Sequence, residues 1–344
     1  MKDDFRSGLG FGLGYDPSAT VGEMAASMAQ AEAAGFSMGF FSETFYTNRD
    51  SVSALAAFSL ATESITLGTT QVARLRSPLV MAQTLATLDE LPRGRILLTV
   101  GAATNKHAAR NGLEAQKPSQ VLREYIETIR LLLTGVQVTY HGEFVNFENV
   151  SLNFTPSRTR IPIWVAGATP QGLRTAGELG DGILLDAGTS PEYTRNAIAQ
   201  IAVAREASGQ SMDDFTVAQL INVSIENSRE EAIRSIRWEV GSKFKYASTG
   251  RGKIRVGETA IPADSPERLS AIYQEHGEQA LMDAIDDDFV AALTASGTVD
   301  DVAARVGQYR AAGVNFPILR ASAPHQIPRL LEAAPRLASE AHAA

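Results

Sequence analysis

Residues 87–100 read Thr-Leu-Asp-Glu-Leu-Pro-Arg-Gly-Arg-Ile-Leu-Leu-Thr-Val, and Arg76-Ser77-Pro78 precedes them. This order predicts a helix that begins at Pro78, a tight turn at Gly94 and a strand over residues 96–100. The predicted strand is an almost unbroken apolar run, which is typical of parallel sheets because their strands are buried on both faces. The stretch therefore predicts one βα unit that leads into the next strand of a parallel sheet.

The same alternation of strand and helix continues along the chain. Strands are predicted at 9–14, 36–42, 65–69, 96–100, 161–166, 182–185, 215–225 and 314–320, and helices at 21–34, 50–64, 78–91, 118–134, 170–179, 191–208 and 299–312. Eight strands with helices between them predict an α/β fold, a (β/α)8 TIM barrel that forms a single domain over 1–344.

Two segments are longer than the barrel requires. Residues 136–158 read as a hairpin insertion after strand four, and residues 227–297 as a larger insertion after strand seven. Long loops inside a compact domain are usually lids or binding regions, so we expect the second insertion to cover the active site. The Ala-rich C-terminal tail is expected to be a frayed helix end.

Composition narrows the class of function. The chain has 344 residues, a net charge of −8 and no cysteine. Its negative charge argues against nonspecific binding to nucleic acid or to anionic membranes, and the missing cysteine excludes disulfides and thiolate chemistry. The N-terminal residues lack an apolar signal core, and no apolar run reaches the roughly 18 residues that a membrane span needs. We therefore expect a cytoplasmic enzyme with no membrane partner.

In a TIM barrel the active site lies at the carboxyl ends of the strands. Residues in that position are candidates by place alone: Ser42, Glu43, Thr44, Thr69, Thr70, Gln71, Gly101, Ala102, Asn105, Gly167, Ala168, Thr169, Asp186, Arg320 and Ser322.

The most specific of these candidates is the turn Gly167-Ala168-Thr169 before Pro170. A strand there enters a small-residue turn and then a helix, whose unpaired backbone N–H groups favour an anion such as phosphate. Thr169 can cap the helix and also offer its hydroxyl to a phosphate oxygen. The alternative is a plain strand-to-helix connection with an N-cap.

Other types of site have little support. The five histidines show no metal-ligand spacing, so no metal site is predicted. No Gly-x-Ser-x-Gly elbow is present for a hydrolase. The predicted carboxyl end of the barrel, its mouth, has too few strong acids, bases and nucleophiles to act alone, which indicates that a cofactor carries the reaction.

The chain also contains one basic cluster, which either is a solvated face or anchors an anionic cofactor tail. Its members are Lys243, Lys245, Arg251, Lys253 and Arg255.

Several separated segments also resemble one family. They are 31–36 (Ala-Glu-Ala-Ala-Gly-Phe), 65–69 (Ile-Thr-Leu-Gly-Thr), 76–78 (Arg-Ser-Pro), 87–91 (Thr-Leu-Asp-Glu-Leu), 140–144 (Tyr-His-Gly-Glu-Phe) and 176–182 (Ala-Gly-Glu-Leu-Gly-Asp-Gly). On these residues the chain resembles the luciferase-like flavin and deazaflavin oxidoreductases. It is most similar to the branch of methylenetetrahydromethanopterin reductases and related enzymes that use coenzyme F420.

The resemblance implies a barrel that is usually dimeric, with F420 or FMN lying across its carboxyl end. A bulged or cis non-prolyl peptide after strand three would support the ring, by position at Thr69-Thr70, and phosphate would lie near residues 167–169. This chain departs from the family at that support, where it is one residue shorter and lacks the usual Asn-Pro. After strand two the family commonly has an acidic residue and then His. Here Glu43-Thr44 stands in that place, so Glu43 and Thr44 are the catalytic candidates, with a structural carboxylate as the alternative for Glu43.

Three functions remain open from the sequence. The first is hydride transfer between reduced F420 and a small organic substrate. The second is an O2-using monooxygenase that depends on FMNH2, with a separate flavin reductase as a possible partner. The third is a barrel that binds flavin without turnover. An F420 tail is acidic, so a basic rim over residues 243–255 would favour the first.

Overall fold

A computed structural model describes residues 8–43, 48–91, 94–103, 105–114, 116–245, 256–257, 259 and 261–339 of the protein. Its strands are β1 (Gly10–Gly12), β2 (Met38–Ser42), β3 (Thr66–Val72), β4 (Ile96–Gly101), β5 (Val138–His141), β6 (Asn146–Val150), β7 (Ile163–Ala166), β8 (Gly182–Leu185), β9 (Thr216–Ile225), β10 (Ala295–Gly297) and β11 (Phe316–Ala321).

Eight of these strands close into a parallel barrel. Neighbours pair in the order β9, β11, β1, β2, β3, β4, β7 and β8, and β8 pairs with β9 to close the ring. The predicted TIM barrel is therefore confirmed. The antiparallel pair β5–β6 lies between β4 and β7 as a separate hairpin, and β10 pairs with the last residues of β9.

Helices connect the strands on the outside of the barrel or lie within the insertions. They are α1 (Val21–Ala33), α2 (Ser51–Ala61), α3 (Pro78–Glu90), α4 (Asn105–Arg110), α5 (Pro118–Leu133), α6 (Pro170–Leu179), α7 (Pro191–Ala207), α8 (Arg229–Gly241), α9 (Ser265–Asp283), α10 (Asp287–Leu293), α11 (Val299–Ala311) and α12 (Ile327–Ser339). Helix α3 begins as its sequence predicts, because the Ser77 hydroxyl accepts a hydrogen bond from Val80 N and Pro78 occupies the first turn.

The structure differs from the sequence prediction at several ends and short elements. Strand β3 continues to Val72 instead of ending at residue 69, because Thr70, Gln71 and Val72 pair in register with β4. Helix α4 and strand β10 have too few residues to give a periodic signal. Helix α12 ends at Ser339, and the rest of the Ala-rich tail, where a frayed helix end is expected, lies outside the described residues.

Side chains on the barrel strands form two separate apolar layers. One fills the barrel interior and includes Phe40, Leu97, Trp164 and Leu220. The other lies between the strands and the surrounding helices. A third cluster joins α8, α9 and α10, so most of the long insertion has a core of its own. Within the described ranges, no helix has the length and hydropathy that crossing a bilayer would require.

The stretch at residues 87–100 is fixed by a buried ion pair. The Asp89 carboxylate is fully buried; it accepts hydrogen bonds from Arg158 Nε at 2.8 Å and Arg158 Nη2 at 2.6 Å, and one from Ile96 N at 3.3 Å. Gly94, at φ +88°, makes the turn between helix and strand, in a region of backbone conformation that favours glycine. Asp89 thus joins the end of α3, the start of β4 and the segment before β7.

We predict that Asp89→Asn lowers the free energy of unfolding by about 3 kcal/mol, because the largely buried guanidinium of Arg158 loses the carboxylate that neutralises its charge. Chemical denaturation of the two proteins measures the difference. Asp300→Asn is the matched control, because Asp300 is 82% exposed where it pairs with Arg336, and it should change stability by less than about 1 kcal/mol. Equal effects of the two substitutions would contradict the prediction.

A second carboxylate, Glu32, organises the loop between α2 and β3. Burial by itself would raise the pKa of Glu32. Hydrogen bonds from the Ser64 hydroxyl and from the backbone N–H groups of Glu63, Ser64 and Ile65 nevertheless lower the pKa to about 2. The ionised form of Glu32 is therefore favoured in the folded protein.

Because the folded-state pKa lies below the ordinary value of 4.5, Glu32 stabilises the fold fully above about pH 4.5 and loses this effect as the pH falls toward 2. We predict that Glu32→Gln destabilises the protein at neutral pH and that its difference from the wild type shrinks through this acidic range. Denaturation midpoints measured against pH test this, with Glu206→Gln at an exposed position of α7 as control. A difference that does not vary with pH would contradict it.

Candidate active site

The barrel interior at the carboxyl end carries two buried hydroxyl groups. Side chains alternate between the two faces of a strand, so Ser42 faces the interior as Phe40 does. Its register partner is Thr70, and the partner of Thr70 is Thr99. Among the described residues, the hydroxyls of Thr70 and Thr99 are buried and have no hydrogen-bond partner. Unpaired buried hydroxyls are costly, which marks this part of the interior as a place where a polar ligand group fits.

The turn after β7 lies at the same end of the barrel. The Thr169 hydroxyl caps α6 by accepting a hydrogen bond from Gly172 N at 3.1 Å. A Cβ on Gly167 would lie 3.3 Å from Gly172 Cα, so the absent side chain lets the first turn of α6 pack against the strand end. Tyr193 Oη donates a 2.6 Å hydrogen bond to Ala168 O and fixes the turn from the α7 side. The geometry matches an anion site at a helix N-terminus.

The other predicted cofactor contacts divide between two faces. Gly101 ends β4 and Ala102 follows it at the mouth, where a Cβ on Gly101 would lie 3.3 Å from Ala166 O. Thr69 and Gln71 instead face the layer between strands and helices, because they alternate with Thr70. Asn105 binds the backbone of Gln116 through both amide atoms.

No unusual backbone supports a ring at Thr69-Thr70 in this structure. All peptide bonds of the described residues are trans, and β3 pairs with β4 in continuous register from Leu67 to Val72. The bulged or cis peptide that the family resemblance implied at this position is therefore wrong here. The shorter segment and the missing Asn-Pro of the sequence are consistent with a regular strand.

The catalytic candidate Glu43 is buried behind the strand ends. Its Oε2 accepts hydrogen bonds from Ser51 N and Ser51 Oγ, both at 3.0 Å, and from Gln71 Nε2 at 3.2 Å. Its Oε1 pairs with Arg76 Nη1 at 3.0 Å. These contacts favour the structural alternative for Glu43, and its catalytic role stays a prediction. Thr44 lies outside the described residues.

Arg76 links this carboxylate to the start of α2. The guanidinium also pairs with Asp50, which caps α2, and it hydrogen-bonds to Gln71 Oε1. Burial alone would lower the pKa of Arg76, but its hydrogen bond to Glu43 and the charges of Glu43 and Asp50 raise the pKa above its usual value. Arg76, from the Arg-Ser-Pro motif, therefore stays charged and ties the ends of β2 and β3 to α2.

A second polar group at the mouth comes partly from the insertion. Arg320 Nε donates to Asn222 Oδ1 at 2.9 Å, and Arg320 Nη2 pairs with Glu239 Oε1 at 3.0 Å. Lys243 Nζ also lies 2.9 Å from Glu239 Oε1. The sequence pointed to Arg320 and Lys243. It missed Asn222, which the alternation along β9 would have placed beside Arg320, and Glu239, for which the insertion gives no readable pattern.

The two described lysines of the basic cluster form ion pairs within the insertion. Lys243 pairs with Glu239, and Lys245 pairs with Glu278 at 3.3 Å and lies 3.9 Å from the ring centroid of Trp238. The other three members, Arg251, Lys253 and Arg255, lie outside the described residues. Its two described lysines therefore give little support to an anchor for a cofactor tail. No group of three or more acidic or histidine side chains in the described ranges is arranged to hold a metal ion.

A family model described as luciferase-like monooxygenase matches residues 8–315. The chain belongs to this family. It is 29% identical over 309 residues to a 5,10-methylenetetrahydromethanopterin reductase of Archaeoglobus fulgidus, covering 88% of this chain and 91% of that one. It is 29% identical over 243 residues to an F420-dependent glucose-6-phosphate dehydrogenase of Nakamurella multipartita, covering 66% and 71%.

The fold of this luciferase-like protein matches solved structures as well. The coenzyme F420-dependent tetrahydromethanopterin reductase of Methanopyrus kandleri superposes with a TM-score of 0.82 over 96% of this chain and 97% of that one, at 23% identity. The family resemblance drawn from the sequence is confirmed. The chain is an oxidoreductase of this family, and the alternative of a barrel without turnover finds no support in these relatives, which are named as enzymes.

We predict that Glu43→Gln lowers the free energy of unfolding by about 2 kcal/mol, because the partly buried Arg76 loses its charged partner. Chemical denaturation tests this, with Glu90→Gln at an exposed position of α3 as control. Wild-type stability combined with slow turnover would contradict the structural role and favour the catalytic one.

Proposed function

We propose that this enzyme transfers hydride between reduced F420 and a small organic substrate. The observation that carries the proposal is the similarity, over 88% of the chain, to a reductase of the methylenetetrahydromethanopterin branch. F420-dependent glucose-6-phosphate dehydrogenases are further relatives. The matched region includes most of the barrel.

The described residues fit such a cofactor at two places. The hydroxyls of Thr70 and Thr99 are unpaired and buried in the upper barrel interior, where they would donate hydrogen bonds to polar edge atoms of a ring. The amides at the start of α6, held close to β7 by Gly167, would bind a phosphate. Gly101 and Ala102 lie between these places, and Ser42 lies beside Thr70 on β2. The small size of these three residues leaves room for a flat ring.

When bound, F420 supplies a carbon that accepts or donates hydride. The protein then has to hold the substrate over the mouth, exclude water and keep charges fixed. Glu239 is a poor proton donor for this reaction. Burial would raise the pKa of Glu239, but Lys243 and Arg320 lower it, so the carboxylate stays ionised near neutral pH. Glu43 serves as a positioning residue that fixes the ends of β2 and β3.

A monooxygenase that uses FMNH2 and O2 is the second candidate, because the family description itself names monooxygenases. It would need reduced flavin from a separate reductase.

For either candidate we expect a homodimer. Leu60 on α2 and Val80 on α3 are apolar and 79% and 47% exposed, and such side chains on neighbouring helices suit a subunit interface. A cytoplasmic location remains a prediction.

The experiment is a titration of the purified protein with F420 and, separately, with FMN, followed by thermal denaturation. We expect F420 to bind and raise the melting temperature more than FMN does, because ligands that bind only the folded state stabilise it. Preferential stabilisation by FMN would reject the F420 proposal in favour of the monooxygenase.

Two glycine variants test the phosphate site in the same titration. Gly167→Ala places a methyl group against Gly172 and should weaken F420 binding by about tenfold or more, since it displaces the first turn of α6. Gly307→Ala is the matched control, because a Cβ there meets no atom within 4 Å. Unchanged F420 affinity in Gly167→Ala would refute the assigned phosphate site.

A further inference from the structure

The charged group on β9, β11 and the insertion is separate from the places assigned to the cofactor. We name Arg320, Asn222, Glu239 and Lys243 the mouth cluster. Arg320 and Asn222 are register partners on β11 and β9. Both face the barrel interior, because they alternate with Leu319 and Ile221, which pack in the outer layer. Glu239 reaches them from α8, with a third contact from Asn222 Nδ2 at 3.2 Å.

The mouth cluster has a net charge of +1, because it contains two cationic side chains and one carboxylate. Arg320 and Lys243 are both cationic, and Glu239 is the one acidic side chain that pairs with them among the described residues. Arg320 uses Nε and Nη2 in these bonds, and its Nη1 makes no hydrogen bond within the described part of the chain. The Arg320 side chain is 18% exposed, and Nη1 is its one guanidinium nitrogen without a partner among the described residues.

Two unpaired hydroxyls lie further toward the carboxyl end, one on β9 and one just after β11. Ser224 follows Asn222 on the same face of β9 and is fully buried, and Ser322 follows Arg320 just after β11. Neither hydroxyl has a hydrogen-bond partner within the described ranges. Buried donors without partners, two residues along the chain from Asn222 and from the partly exposed Arg320, are the groups that an oxyanion would satisfy.

The backbone of β1 makes room for Arg320. A Cβ on Gly12 would lie 3.4 Å from Arg320 Cβ and 3.3 Å from Leu220 Cδ1. The glycine therefore lets the arginine stem lie directly against the strand. Barrel strands seven and eight, here β9 and β11, are also where TIM barrels frequently bind phosphate groups. The candidate phosphate site for the cofactor lies after strand five, so this location is free for a different anion.

We propose that the mouth cluster binds an anionic group, a carboxylate or a phosphate, of the organic substrate. The inference rests on the proposed function for the identity of the reaction, but the anion site itself does not depend on which cofactor is used. In the free enzyme Glu239 acts as an internal counter-ion, and the substrate anion competes with it for Arg320 and Lys243. Arg320 is then a specificity-determining residue, since a neutral substrate would leave its charge partly desolvated without gain.

The test measures binding of two probes, succinate and inorganic phosphate, by isothermal titration calorimetry on protein that is free of F420. We expect Arg320→Gln to weaken binding of the preferred probe at least about tenfold, because a charge-assisted hydrogen bond is lost. Glu239→Gln should strengthen binding several-fold, because the competing carboxylate is gone. Arg234→Gln is the matched control on the exposed face of α8 and should leave binding unchanged.

The opposite response of the two mouth-cluster variants separates this proposal from a purely structural ion pair. If the pair only holds the insertion on the barrel, neither probe binds more tightly to Glu239→Gln, and that result overturns the proposal. Equal affinity of the wild type and Arg320→Gln for both probes also overturns it. Arg320→Lys retains the charge and should keep most of the binding, which guards against loss through misfolding.

The same variants keep the two proposals distinguishable. The α6 N-terminus is intact in Arg320→Gln, so its F420 affinity should equal that of the wild type. Loss of probe binding with normal F420 binding supports the substrate site. Absence of F420 binding from the wild type, with the expected pattern of probe binding, rejects the cofactor and leaves the anion site standing. The better of the two probes identifies the anionic group as carboxylate or phosphate.

Discussion

Closure of the barrel through the β8–β9 pair is the constraint on which the rest of the structure depends. Parallel strands have to be covered on both faces, and a closed ring achieves this with interior side chains on one face and helices on the other. The closure covers only the first half of β9, where Gly182–Leu185 pairs with Thr216–Gln219. Beyond it, β10 takes the place of β8 along Val223–Ile225. The wall therefore opens toward the carboxyl end, and the insertion that supplies Glu239 and Lys243 enters the mouth there.

The sequence predicted the barrel because its signals are local and repeated. Almost unbroken apolar runs such as residues 96–100, capping residues such as Ser77 and turn glycines such as Gly94 each report their own structure without tertiary information. Ends of elements were less certain, since β3 extends past residue 69 only through pairing with β4. The short strand β10 exists because β9 offers it an edge, and its three residues carry no periodic signal of their own.

The sequence predicted where the site residues lie better than it predicted what each residue does. Thr70, Gly101 and Gly167 lie at the carboxyl end of the barrel, as their position in the sequence predicts. Thr69 and Gln71 face the helices, because side chains alternate between the two faces of a strand. Two carboxylates show why residue type alone is insufficient. Glu43 is adjacent to a strand end in sequence, yet Ser51, Gln71 and Arg76 hold it in the outer layer. Glu239 lies in a segment without pattern, yet it reaches the interior-facing Arg320.

The unpaired hydroxyls of Thr70 and Thr99 have a consequence for how such a protein evolves. A threonine whose oxygen finds no partner weakens the ligand-free fold, and valine, of nearly the same shape, would remove that penalty. Selection for folding alone would therefore replace both residues. Their presence side by side at the carboxyl end of the barrel interior indicates a place where affinity for a polar ligand comes at the expense of stability in the ligand-free enzyme.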